Sequence, residues 1–359
     1  MNKKYSSIDL GIADRISKVG LGNEKYHLGR IIAQHKDFYR VATEKSDMLA
    51  KTSGKILFKS NDIKDLPAVG DFVFLDRDES SGGNAIIHGI LERKSSFIRK
   101  AAGTSQQAQV IAANIDTIFI CMALNRDFNL RRLERYLAIA WDSGACPVVV
   151  LTKADLCTDL EMMIAEVSSV AIGAEILVTS GLTCDGSKSI RKYIYPGQTV
   201  AFIGSSGVGK STLINLLLGE EKILTAQTRR DDRGRHTTTN RELFFIPGGG
   251  AVIDTPGMRE IGLENADLER AFADIEKLAA SCHFSDCTHE NEPNCAVRRA
   301  IDEGKIDLER LLNYKKLIKE AKYEGLNSRQ IEQEKVNEMF TAMGGIKNVR
   351  DLIKSRKNR

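Results

Sequence analysis

An apolar run, Thr199-Val200-Ala201-Phe202-Ile203, leads straight into Gly204-Ser205-Ser206-Gly207-Val208-Gly209-Lys210-Ser211, and a helical pattern follows from Thr212 to Leu218. A glycine-rich turn between a buried strand and a helix limits the surrounding fold to a mostly parallel, doubly wound α/β sheet. Glycines let successive backbone N–H groups close around phosphate oxygens, and the helix N-terminus adds a favourable dipole. In that arrangement Lys210 reaches the outer phosphates and the Ser211 hydroxyl binds Mg2+. Residues 204–212 are therefore the expected cradle of a nucleoside triphosphate.

Two further elements specify the nucleotide. Thr152-Lys153-Ala154-Asp155 follows the buried strand Pro147–Leu151. A carboxylate at Asp155 can accept two hydrogen bonds from the N1–H and 2-amino group of guanine, a pair that adenine lacks. Lys153 would cover the base plane, and Val178-Thr179-Ser180-Gly181, after another strand, could support the base through main-chain N–H groups. Asp254-Thr255-Pro256-Gly257 ends a third strand, where Asp254 can face Mg2+ through water and Gly257 can offer its N–H to the terminal phosphate. Between this element and the phosphate loop lies a polar stretch, Asp231 to Thr239, with the position of a switch. Thr238 is the expected additional Mg2+ ligand there, with Thr237 and Thr239 as alternatives.

The order of these elements is unusual. Base recognition precedes the phosphate loop, whereas in an ordinary GTP-binding unit it comes near the end. A circularly permuted chain keeps the nucleotide site and attaches different neighbours to its moving parts. One residue departs from the common pattern: Met258 stands where many GTPases have the glutamine that orients the attacking water. Slow intrinsic turnover is expected, with His236 as the candidate for positioning water; the other reading is a solvent- or RNA-facing loop histidine.

A chain of 359 residues calls for two or three domains, and 42% hydrophobic residues suffice for their cores. A net charge of +4 argues neither for nor against a nucleic-acid partner. Residues 1–25 read as a loosely ordered leader. Over 26–100, five short strand-like runs are expected: Leu28–Ala33, Phe38–Ala42, Gly54–Phe58, Gly70–Leu75 and Asn84–Leu91. They suggest an OB-type β-barrel, with an SH3-like barrel fitting the spacing nearly as well. Residues 105–262 form the permuted nucleotide-binding domain, and 265–359 a mainly α-helical zinc-binding domain with a basic tail from Lys347. Arg93, Lys94, Arg99 and Lys100 surround Phe97, which suits RNA binding by charge and stacking. Phe97 reads equally well as a core residue of the last barrel strand.

The longest apolar runs, such as Thr117 to Leu124, have core-strand length, so no membrane segment is expected and a cytoplasmic monomer is. The seven cysteines should then be reduced. Cys282, Cys287, His289 and Cys295 offer three thiolates and an imidazole within a short span, the donor set of a closed structural Zn2+ site. His283 is the weaker alternative ligand, and simple packing of reduced cysteines is disfavoured by the polar residues around them.

A permuted GTP-binding unit preceded by a small barrel and followed by a Cys3His cluster resembles the ribosome small-subunit-dependent GTPase A family (RsgA, also called YjeQ). The resemblance runs from about residue 28 to 330 and is most specific at residues 204–212, at Gly234-Arg235-His236-Thr237-Thr238-Thr239 and at the cysteine cluster. It implies GTP hydrolysis stimulated by the small ribosomal subunit, rRNA binding, and a late role in maturing or checking that subunit. Thr152 stands where many GTPases have asparagine, a change this family also tolerates. The competing readings are an RNA-binding scaffold that uses GTP as a structural ligand, and a permuted GTPase serving the large subunit.

Overall fold

The computed structural model describes residues 5–13, 15, 26–36, 38–60, 62–80, 82–100, 108–180, 187–220, 223, 241–254, 267–323, 326 and 328–341. Helix α1 (Ser7–Leu10) is closed by a capping box between Ser6 and Asp9. Of the leader, residues 5–13 and 15 are described, and they pack on the body of the protein. Leu10 and Ile12 are fully buried, and the Tyr5 ring lies 4.4 Å from that of Phe245. Arg15 donates to Asn114 Oδ1 at 2.7 Å and to the Glu92 carbonyl at 3.1 Å. Tyr5, Leu10, Ile12 and Arg15 seat these residues within a segment whose overall composition is polar.

Five strands close the N-terminal barrel: β1 (His27–Gln34), β2 (Tyr39–Ala42), β3 (Asp47–Thr52), β4 (Phe72–Leu75) and β5 (Ala85–Ile90). β1 pairs antiparallel with both β2 and β4, β2 with β3, and β4 with β5, while β3 and β5 run parallel. The circuit β1-β2-β3-β5-β4-β1 is that of an OB-type barrel. An irregularity in β1 between Ile31 and Ala33 bends the strand between its two neighbours. The Gly54–Phe58 strand reading is corrected: Gly54–Lys59 is helix α2, capped by Ser53 accepting from the Ile56 N–H, and the third strand is the segment just before it. Leu57 and Phe58 are exposed, so their hydrophobicity does not mark a core strand.

β6 (Ser96–Lys100) and β7 (Ala108–Ala113) form a separate two-stranded sheet after the barrel. Phe97 therefore does not sit on a barrel strand. Next come β8 (Thr117–Ala123), helix α3 (Leu130–Asp142), β9 (Cys146–Thr152), α4 (Leu160–Val170), β10 (Glu175–Val178), α5 (Ser187–Arg191), β11 (Thr199–Ile203), α6 (Lys210–Leu218), β12 (Glu242–Phe245) and β13 (Ala251–Asp254). The strand order is β10-β9-β8-β11-β13-β12, parallel except for β12. All of β8 is buried, as a central strand covered on both faces requires. β12 also pairs with β1 through Glu242 and Ala33, which joins sheet and barrel. At this junction the buried Arg30 guanidinium, 1% exposed, donates to the Leu10 carbonyl and to Thr199 Oγ1. Burial pushes its pKa down to about 10, so it stays charged at neutral pH.

The remaining described elements are helices: α7 (Leu268–Ala271), α8 (Ala273–Ala279), α9 (Ala296–Asp302), α10 (Leu308–Tyr323) and α11 (Ser328–Thr341). They dock on α3 through a buried polar network. Glu134, with a fully buried side chain, accepts from Arg131 at 2.6 Å, Arg310 at 2.8 Å and Asn313 at 2.5 Å. Arg310 also holds Asp274 with two bonds and lies over the Phe272 ring. Burial works against the Arg310 charge, but Asp274 and Glu134 outweigh it and hold the guanidinium above its ordinary pKa. The chain is thus an OB-type barrel, a permuted P-loop unit and a mainly α-helical C-terminal region. Among the described residues no helix is long and apolar enough to cross a membrane.

Candidate functional site

The phosphate loop is shaped by backbone approach. A Cβ on Gly204, whose φ is +141°, would lie 2.4 Å from the Cys121 carbonyl oxygen of β8, so only glycine fits. Gly209, at φ +102°, starts α6 without any side-chain cap. The first N–H groups of that helix thus remain available to an anion. Lys210 bends back over the loop, donating to the Gly204 carbonyl at 2.8 Å and the Ser205 carbonyl at 2.7 Å. Ser206, Gly207 and Thr212 are exposed, Ser211 is half-buried, and Val208 anchors the loop in the core. Burial pushes the Cys121 thiol up to about 12, despite nearby Lys210, so it forms an unreactive floor.

Thr152 departs from its expected place among the base contacts. It is 3% exposed, and its Oγ1 lies 2.6 Å from the Val208 carbonyl and 3.3 Å from that of Met122. Its hydroxyl ties the base element to the phosphate loop instead of facing a ligand. Lys153 has a φ of +56°, a left-handed conformation uncommon for a residue with a side chain, and this turns the chain out of β9. Asp155 is exposed, and its Oδ1 accepts from the buried Ser180 hydroxyl at 2.5 Å. The Ala154 N–H donates to the Thr179 carbonyl at 3.4 Å, and the Thr179 N–H to Leu151 at 2.8 Å. The Thr179-Ser180 pair thus supports the base element with a side chain as well as with backbone, a detail the spacing did not reveal. Asp254 is the last residue of β13 and pairs across the ladder with Glu242.

Arg132, in the first turn of α3, was not evident from the sequence. Its Nη1 lies 2.5 Å from the Ser205 hydroxyl, which brings a second cation to the phosphate loop. His236, Thr237, Thr238, Thr239, Gly257 and Met258 lie outside the described residues.

Two members of the expected RNA-binding patch, Arg93 and Phe97, are engaged within the protein. Arg93 forms a bidentate pair with fully buried Asp71, at 2.8 and 2.7 Å, and donates to the Lys64 and Leu66 carbonyls. Burial holds the Asp71 carboxyl above its ordinary pKa even with Arg93 beside it. The Phe97 ring is 1% exposed and cannot stack on a base. Lys94 is exposed and sits 3.8 Å from Asp116; the side chains of Arg99 and Lys100 lie outside the described set. Among the described residues Phe58, 92% exposed on α2 beside exposed Lys55 and Lys59, presents an aromatic ring to solvent.

Cys282, Cys287, His289 and Cys295 converge, with donor atoms within 4.8 Å of one another. Cys282 Sγ and Cys295 Sγ are 3.8 Å apart, and His289 Nδ1 is 3.7 and 3.4 Å from them. Tetrahedral Zn–S bonds of about 2.3 Å and Zn–N bonds of about 2.05 Å imply S···S near ~3.8 Å and N···S near ~3.6 Å. The donor set therefore fits one zinc ion. His289 reaches the cluster from a left-handed backbone, φ +59°. His283 packs edge-on against Phe284, outside the cluster.

A family model described as RsgA GTPase matches residues 90–264. The small ribosomal subunit biogenesis GTPase RsgA 2 of Lactiplantibacillus plantarum is 51% identical over 324 residues, covering 90% of this chain and 91% of the relative. Its namesake from Vibrio parahaemolyticus is 44% identical, covering 82% and 80% respectively. Among solved structures, YjeQ from Thermotoga maritima aligns with a TM-score of 0.62 at 26% identity, over 82% of this chain and 98% of that one. YloQ, described as a circularly permuted GTPase, aligns with a TM-score of 0.58 at 25% identity, over 84% and 97%. Likeness that extends from the barrel through the permuted unit to the C-terminal helices is more than a shared phosphate loop: the chain belongs to the RsgA family of GTPases and hydrolyses GTP.

Proposed function

We propose that this GTPase acts on the small ribosomal subunit, in its late maturation or checking, and that the subunit stimulates hydrolysis. The observation that carries the coupling is α3. One side of its first turn reaches the phosphate loop through Arg132 and Ser205, and the next residues bind the C-terminal helices through Glu134 and Arg310. Short rigid contacts of this kind can pass nucleotide state to an attached module. The names of the relatives support the choice of partner.

In this reading Asp155 and Lys153 select guanine, and the N–H groups of residues 204–212 together with Lys210 hold the phosphates. Mg2+ bound by Ser211 and Thr238, with Asp254 behind a water and Gly257 on the terminal phosphate, would neutralise phosphate charge. His236 positions the attacking water once the subunit orders its loop. Zinc on Cys282, Cys287, His289 and Cys295 supplies folding energy to the C-terminal region. Lys94 and Phe58, flanked by Lys55 and Lys59, offer rRNA the charge and stacking surface that Phe97 does not; Arg99 and Lys100 are assigned to rRNA binding by their charge. The protein works as a cytoplasmic monomer.

The scaffold reading, in which GTP is bound with little turnover, draws on Met258. Co-sedimentation separates the readings. A GTPase switch binds small subunits more tightly with a non-hydrolysable GTP analogue than with GDP, and does not pellet with large subunits. Equal pelleting with either nucleotide would support the scaffold.

A further inference from the structure

We propose that Arg132 is a catalytic arginine supplied in cis: its guanidinium leaves the Ser205 hydroxyl and stabilises the oxygens of the phosphoryl group as it is transferred. The proposal rests on the reading of residues 204–212 as the phosphate cradle. Arg132 and Lys210 converge on one residue of that cradle, Arg132 at the Ser205 hydroxyl (2.5 Å) and Lys210 at the Ser205 carbonyl (2.7 Å). A half-buried guanidinium in that place can meet an anion held by the loop. Among the described residues Arg132 has no carboxylate partner, although its neighbours do: Arg131 pairs with Glu134 at 2.6 Å and Arg135 with Glu320 at 2.5 Å.

Helix chemistry points the same way. Arg132 lies in the first turn of α3, which has no acidic residue there. A cation at that end opposes the helix dipole, so the position is unfavourable unless an external anion meets it. The terminal phosphates are such an anion. In hydrolysis the water oxygen bonds to the γ-phosphorus as the bond from that phosphorus to the bridging oxygen breaks, leaving its electrons on GDP. One water proton ends on inorganic phosphate and the other is released to solvent. Charge builds on the equatorial and bridging oxygens during this step, and a guanidinium stabilises it without exchanging protons. Met258, in place of the usual glutamine, leaves this electrostatic contribution all the more important.

Three measurements on the full chain test the assignment: single-turnover GTP hydrolysis, affinity for GTP, and formation of a GDP–aluminium fluoride complex, which mimics the transferred phosphoryl group. Arg132→Ala should hydrolyse about 100-fold more slowly, keep GTP affinity within about threefold of the parent, and fail to form the fluoroaluminate complex. Added guanidinium ion should restore part of the rate in Arg132→Ala and none in the parent, and Arg132→Lys should recover only a fraction, because a point charge cannot bridge two oxygens. Hydrolysis by Arg132→Ala at the parental rate, or an undiminished fluoroaluminate complex, would overturn the proposal. A parallel loss of GTP affinity and rate, without guanidinium rescue, would also overturn it by reducing Arg132 to a tether for the loop. Failure of the parent chain to bind GTP would instead overturn the cradle reading itself.

Discussion

Replacing Glu134 by alanine should release the C-terminal helices from α3 far more readily than any surface change. Glu134 accepts three bonds within a buried network, from Arg131, Arg310 and Asn313. Its removal leaves Arg310, whose side chain is 4% exposed, with Asp274 as its remaining carboxylate. Removing one partner of a buried ion pair costs about 3–5 kcal/mol. Asp274 retains two bonds to the same guanidinium, so the low end applies, about 3 kcal/mol. With a urea dependence of about 2 kcal/mol per molar, the unfolding midpoint should fall by about 1.5 M. The protein supplies its own probe: Trp141, the chain's single tryptophan, lies on α3 with the Arg270 guanidinium of α7 3.5 Å from its ring centroid. Its fluorescence reports undocking directly. Glu134→Gln, which keeps the shape and loses the charge, should fall between the parent and the alanine variant. A midpoint for Glu134→Ala within about 0.3 M of the parent, roughly 0.6 kcal/mol on the same slope, would refute the view that this network holds the two regions together.

Other consequences are equally direct. Asp155→Asn should move preference from GTP toward xanthosine triphosphate, read by competitive nucleotide binding; tight ATP binding by the parent chain would show that residues 152–155 do not select the base. Thr152→Val keeps the volume but removes the hydroxyl bonded to the Val208 carbonyl, a loss of about 1 kcal/mol or roughly fivefold in GTP affinity; unchanged affinity by calorimetry would mean the tether does not shape the loop. One zinc per chain should be found by elemental analysis, with Cys287→Ala or His289→Ala losing it and His283→Ala keeping it. Full occupancy in His289→Ala would move the fourth ligand elsewhere.

What the sequence revealed depended on how local the controlling physics was. Residues 204–211 declared themselves because close backbone approach, as at Gly204 against Cys121, permits glycine alone. The cysteine cluster was equally plain, since its ligands lie close along the chain. Barrel strands were legible where period-two burial is strong. β3 was missed because Lys55-Ile56-Leu57-Phe58 looked more like a strand than Asp47–Thr52 does, and the Ser53 cap was the overlooked signal. Long-range pairings left no local trace. Nothing near Arg93 announces Asp71, and nothing near Phe97 shows that β6 folds onto β7. Thr152, Arg132 and Glu134 each bond a residue at least 56 positions away, and Glu134 one 179 away. Arg30 and the buried Leu10, Ile12 and Arg15 belong to the same class.

The central claim is that a slow, permuted GTPase is switched on by one ribosomal subunit. Its most direct test is GTP turnover by the purified full chain alone, with small subunits and with large subunits, repeated with His236→Ala. Turnover should be slow alone, markedly accelerated by small subunits and not by large ones, and His236→Ala should lose most of the stimulated rate with GTP affinity intact. Equal turnover in all three conditions, or acceleration by large subunits, would contradict it.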